Sequence, residues 1–136
     1  MKKQIPIIKT LIHSAVVLFA TAVVSSAGAA TVAYGDFNND GFMDVAAITS
    51  PTTVTVSLAN PGGSYTVSAI LSAPRNKTIT SVQVFDFNGD GALDVIANGP
   101  ASGGWVTSYI WLGNGGGTFG SMTTNRWRWK GNIGFF

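Results

Sequence analysis

The sequence predicts an all-β fold built from two copies of one unit, each with about four antiparallel strands. The first observation is that residues 30–136 consist of short runs of β-branched and aromatic residues. Gly, Asn and Pro separate these runs, and no helical periodicity is present, which is typical of strands joined by turns. The second observation is an internal repeat, because the aspartate-rich stretch at 36–44 recurs at 86–94.

The strand-like runs follow the same order in both copies. In the first copy they cover 31–34, 45–49, 53–58 and 65–71; in the second they cover 80–85, 95–97 and 106–112, before a Gly-rich turn leads into 118–119. The two repeats therefore span about 31–75 and 80–125 of a repeat region at 30–125. A period of about 50 residues with several short strands per unit indicates propeller blades or a similar array.

Residues 1–29 are predicted to form a signal helix that is cleaved on export. Three lysines form a basic start, residues 11–24 are almost entirely apolar, and the small residues at 25–30 contain an A-x-A-like cleavage site. An uncleaved anchor is the alternative, but this apolar run is shorter than the about 20 residues that a spanning helix needs. We therefore expect a protein that is secreted, periplasmic or located at the cell surface.

The charge of the chain argues against nucleic acid as a partner. Without the three lysines of the signal, five basic residues face six aspartates, and they form no continuous basic stripe. Residues 126–136 differ from the repeats and begin with Arg126-Trp127-Arg128-Trp129-Lys130. Interleaved cations and indoles suit a membrane interface or base stacking. We favour a packed strand with alternating faces, or unrelated sequence after a break in the gene.

The two aspartate-rich loops are the candidate metal sites. They contain all six acidic residues of the chain. In each loop, oxygen-bearing side chains occupy positions 1, 3, 5 and 9, glycine occupies position 6, and the carbonyl of position 7 can point inward. This spacing predicts two Ca²⁺ sites, because calcium takes six to eight oxygen ligands in a flexible shell. The predicted ligands are Asp36, Asn38, Asp40, Phe42 and Asp44 in the first loop, and Asp86, Asn88, Asp90, Ala92 and Asp94 in the second.

Two other interpretations of these loops are an EF-hand and a metal-free turn. An EF-hand needs a glutamate at position 12 and helical flanks, whereas Ala47 and Ala97 stand at that position and the flanks are strand-like. Turns rich in Asp and Asn that bind no metal are the other interpretation, because these residues form turns readily. The repetition of the ligand spacing favours metal binding.

The same stretches resemble a known repeat family. The segments YGDFNNDG at 34–41 and FDFNGDG at 85–91, each followed by x-x-Asp-Val, resemble FG-GAP or VCBS-type repeats, and LGNGGGTF at 112–119 is similar to that family's turn late in a blade. The resemblance implies two propeller-like blades, as in the N-terminal β-propeller of integrin α chains, with calcium in each aspartate loop. A closed propeller has about four to eight blades, so two would form an incomplete one. Self-assembly or further blades could complete it.

The inventory of reactive side chains argues against an enzyme. Residues 30–136 contain no His, Cys or Glu, and every Asp lies in a loop, so a general base or an activated nucleophile is lacking. We expect an exported, non-catalytic calcium-binding module that acts in cell adhesion or in binding a protein or glycan ligand. Two alternatives stay open: an accessory fragment of a larger secreted hydrolase or lyase, and a truncated reading frame.

Overall fold

A computed structural model describes residues 30–128, which form eight strands and no helix. The strands are β1 (Val32–Gly35), β2 (Asp44–Ser50), β3 (Thr53–Ala59), β4 (Tyr65–Ser72), β5 (Ser81–Phe85), β6 (Asp94–Asn98), β7 (Trp105–Trp111) and β8 (Thr123–Arg128). The signal helix predicted at 1–29 lies outside the described residues, as do residues 129–136 of the predicted tail. Between residues 30 and 128, no helix is long and apolar enough to cross a membrane.

The strands form two four-stranded antiparallel sheets in which sequence neighbours pair. The first sheet has the order β1-β2-β3-β4 and the second the order β5-β6-β7-β8. This arrangement confirms the predicted all-β fold with two units of four antiparallel strands. The last strand, β8, pairs with β7 from Ile110 to Trp105 and runs through residue 126, at which the sequence alone places the start of an atypical tail.

The alternation of residue types explains why these segments are strands. In β3, Val54 and Val56 are fully buried, while Thr53, Thr55 and Ser57 between them are partly exposed. Such a period of two places every second side chain on one face of a sheet. All five residues of β6 are buried, both the apolar residues at 95–97 and the polar Asp94 and Asn98 at its ends.

The apolar core is shared between the two sheets. Side chains of β2 and β3 in the first sheet and of β5, β6 and β7 in the second belong to one buried cluster, which also includes Phe37 from the first aspartate loop. The sheets also meet at β1 and β5. Near the loops, the hydroxyl of Ser68 donates a hydrogen bond of 2.6 Å to the carbonyl of Gly117. The sheets therefore pack as neighbouring blades do in a propeller.

The opposite face of the second sheet carries a buried polar network. The indole N–H of Trp127 donates to the Ser108 hydroxyl at 2.9 Å, and Ser108 donates to the side-chain oxygen of Asn98 at 2.5 Å. The amide of Asn98 in turn donates to Gln83 at 3.2 Å. In a low-dielectric interior such a connected network is stable only when its groups are paired, as they are here.

The close approach of the sheets at Gly35 leads to a first prediction. A β carbon at Gly35 would lie 2.6 Å from Leu93 Cδ1 and 2.9 Å from Val84 Cγ1. We therefore expect Gly35→Ala to lower the free energy of unfolding by about 1–3 kcal/mol, because overpacking forces the sheets apart. Denaturant unfolding measures this loss. In a Leu93→Ala background the same substitution should lower the free energy of unfolding by less. Equal losses in both backgrounds would show that contact with Leu93 is not the cause.

Candidate functional site

Each aspartate loop joins the first two strands of its sheet. The first loop runs from the end of β1 to Asp44, and the second from the end of β5 to Asp94. Asn39 and Gly41 have φ angles of 61° and 88°, and the equivalent Gly89 and Gly91 have φ angles of 77° and 90°. Loop positions 4 and 6 are thus both left-handed. Glycine and asparagine tolerate this region of backbone space best, so the loop type is encoded locally.

The aspartate at position 1 folds the loop around its own carboxylate. In the first loop, Asp36 accepts backbone N–H groups from Asp40 at 3.1 Å and from Gly41 at 2.8 Å. In the second loop, Asp86 accepts the Gly91 N–H at 2.7 Å. This hydrogen bond is the main reason that the pKa of Asp86 lies below its ordinary value, because it stabilises the charged form.

The side chains at positions 3 and 5 lie against each other. The Asn38 amide donates to the Asp40 carboxylate at 3.0 Å, and the Phe42 N–H donates to its other oxygen at 2.9 Å. The pair Asn88 and Asp90 repeats the amide-to-carboxylate contact at 3.3 Å. The structure therefore brings positions 1, 3 and 5 of each loop together on one turn.

The aspartate at position 9 occupies a different environment. Asp44 is fully buried and accepts backbone N–H groups from Phe37 at 2.7 Å and from Ala59 at 2.8 Å. In the second sheet, Asp94 is equally buried and accepts those of Phe87 at 2.7 Å and Gly113 at 2.8 Å. Each carboxylate clamps the start of its loop to the far end of the third strand. The spacing alone predicts these residues as ligands and does not reveal this clamp.

The pKa of Asp44 is determined by its burial and by its charged and hydrogen-bonding neighbours. Burial raises the pKa of the Asp44 carboxyl, because desolvation disfavours the charged form. The N–H groups of Ala59 and Phe37 oppose this shift, whereas the negative charges of Asp40 and Asp36 add to it. The carboxylate at position 9 is therefore affected by the negative charges at positions 1 and 5.

One polar atom of the first loop, the side-chain oxygen of Asn38, is buried without a hydrogen-bond partner within the described part of the chain. Buried polar atoms nearly always have a partner, and an absent ion is one reason for an exception. Carboxylates alone do not form the site, because residues 30–128 contain no group of three or more His, Cys, Asp or Glu side chains arranged to hold a metal. Amide and carbonyl oxygens, including those of Phe42 and Ala92, would have to complete the shell.

Two adjacent four-stranded antiparallel sheets, each with an aspartate loop after its first strand, define a repeat module of the β-propeller type. Residues 36–97 match the model of the FG-GAP-like repeat, so this segment of the chain is similar to that family. The match begins at the first residue of the first loop and includes the whole of the second, so it confirms the family resemblance. Domains of this family are generally non-catalytic. The searches of curated proteins and of solved structures give no significant match.

Proposed function

We propose that the chain is an exported, non-catalytic repeat module that binds one calcium ion in each aspartate loop and acts in adhesion through a protein or glycan ligand. The unpartnered buried oxygen of Asn38, beside the carboxylates of Asp36 and Asp40, is the observation that carries the calcium part. The second loop repeats the same backbone turn and the same residue types, which supports a second site.

Calcium would supply positive charge at a place where carboxylates repel each other. In the first loop the side chains of Asp36, Asn38, Asp40 and Asp44 and the carbonyl of Phe42 are the proposed ligands. Each carboxylate oxygen that accepts one N–H keeps a further lone pair, so the loop's own hydrogen bonds are compatible with a bound ion. A ligand that binds only the folded state stabilises it, so calcium would rigidify the end of the module that carries the loops.

The sequence supports export and a non-catalytic role. The residues at 1–29 follow the three-part form of a secretory signal, and residues 30–136 lack His, Cys and Glu. A chain without cysteines cannot use disulfides, and a metal is the other common means of stabilising a small exported domain. A binding role agrees with a family of generally non-catalytic repeats.

Calcium-dependent thermal unfolding tests the proposal. With a Kd of about 10⁻⁴ M, as in extracellular modules, about 10 mM calcium is about 100 times Kd and stabilises the fold by about 2.7 kcal/mol per site relative to a chelator. For a domain of this size we expect the Tm to rise by about 10 °C or more. Magnesium should have a smaller effect, because it demands a tighter octahedral shell.

Two substitutions in the first loop separate a metal site from a metal-free turn. Asn38→Ala removes the unpartnered oxygen and should abolish about half of the calcium-dependent rise in Tm, because the second loop remains. Asn39→Gly is the matched control, since glycine stands at the equivalent position 89 and suits the positive φ of 61°. An identical Tm with calcium and with chelator in the unmodified chain would refute calcium binding.

A further inference from the structure

The charged residues of the described chain are separated between the two ends of the sheets. All six aspartates lie in the loops after β1 and β5. The basic side chains of residues 30–128 lie toward the other end, where the chain passes from β4 to β5, from β6 to β7 and out of β8. They are Arg75, Lys77, Arg126 and Arg128. A strand of seven residues is about 20 Å long, so the aspartates are too far away to neutralise this basic end.

Two of these arginines are organised around an exposed tryptophan. Trp105 pairs with Arg128 across β7 and β8, and Thr107 pairs with Arg126, so the four side chains share one face of the second sheet. The guanidinium carbons of Arg126 and Arg128 lie 5.2 Å and 5.7 Å from the centre of the Trp105 ring. The ring is 38% exposed. Cation–π contacts of this kind hold guanidinium groups in place while their N–H donors stay accessible.

A cavity of about 250 Å³ opens on the same face. Thr107 lines the cavity and is the cross-strand neighbour of Arg126, so the arginine pair lies next to the cavity. Its other polar lining residues include Asn76, Lys77, Thr78, Ser102 and Tyr109. Hydroxyl and amide groups can both donate and accept hydrogen bonds, and Lys77 adds a third cation. The cavity thus presents polar, hydrogen-bonding walls beside positive charge.

We propose that this basic aromatic site, formed by Trp105, Arg126, Arg128 and the cavity at Thr107, binds an acidic saccharide that carries carboxylate or sulfate groups. Each planar guanidinium group can donate two parallel hydrogen bonds to a pair of oxygens of such an anion. Hydroxyl and amide groups around the cavity match a polyhydroxylated ring, and the tryptophan supplies an apolar surface at its edge. A nucleic acid fits less well, because it needs a longer basic track than three or four cations provide. The inference deepens the proposed adhesive function by naming its ligand class.

Direct binding of the full chain to defined polysaccharides tests this inference. The probes are polygalacturonate, which carries carboxylates, dextran sulfate, which carries sulfates, and neutral dextran. We expect at least one acidic polymer to bind and neutral dextran not to bind, with affinity that falls as salt is added. The double variant Arg126→Gln/Arg128→Gln should weaken binding by about tenfold or more, because charge-assisted hydrogen bonds are lost.

Arg75→Gln is the matched control, since it removes one exposed charge from the same end but does not line the cavity. It should change binding by less than about twofold in moderate salt. Lys77 lies in the connection between β4 and β5, so Lys77→Gln should weaken binding without altering the fold. This variant keeps the test informative if the double variant does not fold. Equal binding of neutral and acidic polymers, stronger binding of duplex DNA, or no binding at all would overturn the inference.

The test is independent of calcium. Binding is measured in calcium and in chelator, because the basic aromatic site lies at the end of the sheets opposite to the aspartate loops. Saccharide binding without any effect of calcium on Tm would sustain the saccharide site and refute the metal sites. A calcium-dependent Tm without binding of either acidic polymer would support the metal sites and refute the saccharide site.

Discussion

Asp44→Asn is expected to lower the free energy of unfolding by about 2–4 kcal/mol, measured by denaturant titration in the presence of a chelator. The amide that replaces the carboxylate has one acceptor oxygen for two buried N–H donors, those of Phe37 and Ala59. One donor then faces the NH₂ group and is left unsatisfied. The neutral amide avoids the desolvation cost of a buried negative charge, and this gain offsets part of the loss. Asp94→Asn should behave in the same way at Phe87 and Gly113.

Asp40→Asn provides the comparison that separates the clamp from the metal site. Asp40 is exposed, and its bond to the Phe42 N–H can be kept by an asparagine oxygen. In chelator, this variant should retain stability to within about 0.5 kcal/mol, as surface substitutions usually do. In calcium, both variants should lose part of the stabilisation. If the two variants were equally stable in chelator, the clamp would not contribute to the fold.

Gly113→Ala is expected to destabilise the second sheet by about 3 kcal/mol or more. A β carbon at this position would lie 2.0 Å from the carbonyl oxygen of Leu93, which belongs to the backbone and cannot rotate away. The substitution must therefore displace the chain between β7 and β8, and that movement also strains the hydrogen bond from the Gly113 N–H to Asp94. Thermal and denaturant unfolding measure the loss.

Gly62→Ala is the matched control for this prediction. A β carbon at Gly62 meets no atom within 4 Å, and the residue does not have a positive φ. The added methyl group should be neutral or slightly stabilising, because alanine restricts the unfolded chain more than glycine does. A loss of similar size in both variants would show that the close contact at Leu93 is not the cause.

The strands and loops of this protein are predictable because their signals are local. Period-two runs such as that at 53–58 predict β3, and the Asp, Asn and Gly spacing predicts the turn that the structure shows at 36–44. The offset of about 50 residues also predicts the division into two sheets. Each of these signals is contained in fewer than ten consecutive residues, or in the repetition of such a segment.

The role of Asp44 could not be predicted in this way. Its side chain follows the ligand spacing of the loop, yet both of its oxygens accept N–H groups, one of them from a residue 15 positions away. Whether a carboxylate faces a cation or the backbone depends on where the third strand ends, which the loop itself does not encode. The hydrogen bond between Asn98 and Ser108 could not be predicted from the sequence either, because it depends on the register of β6 and β7.

The basic aromatic site also depends on the register between two strands, β7 and β8. Trp105 lies more than 20 residues before Arg126 and Arg128 in the sequence, and only the pairing of β7 with β8 places them on one face. The sequence does show the alternation of Arg and Trp at 126–129, which is consistent with two faces of a strand. It does not show which face meets Trp105, and the cavity at Thr107 has no signature in the sequence.

The pairing order of the two sheets also bears on how the chain acquires its structure. Every strand pairs with its neighbour in sequence, so each sheet closes only short loops. Loop closure of this kind carries a small entropic cost. The contacts between sheets, such as that between Ser68 and Gly117, join residues 49 positions apart. This topology favours a pathway in which each four-stranded meander forms as its segment leaves the ribosome, and docking of the two sheets follows as the slower step.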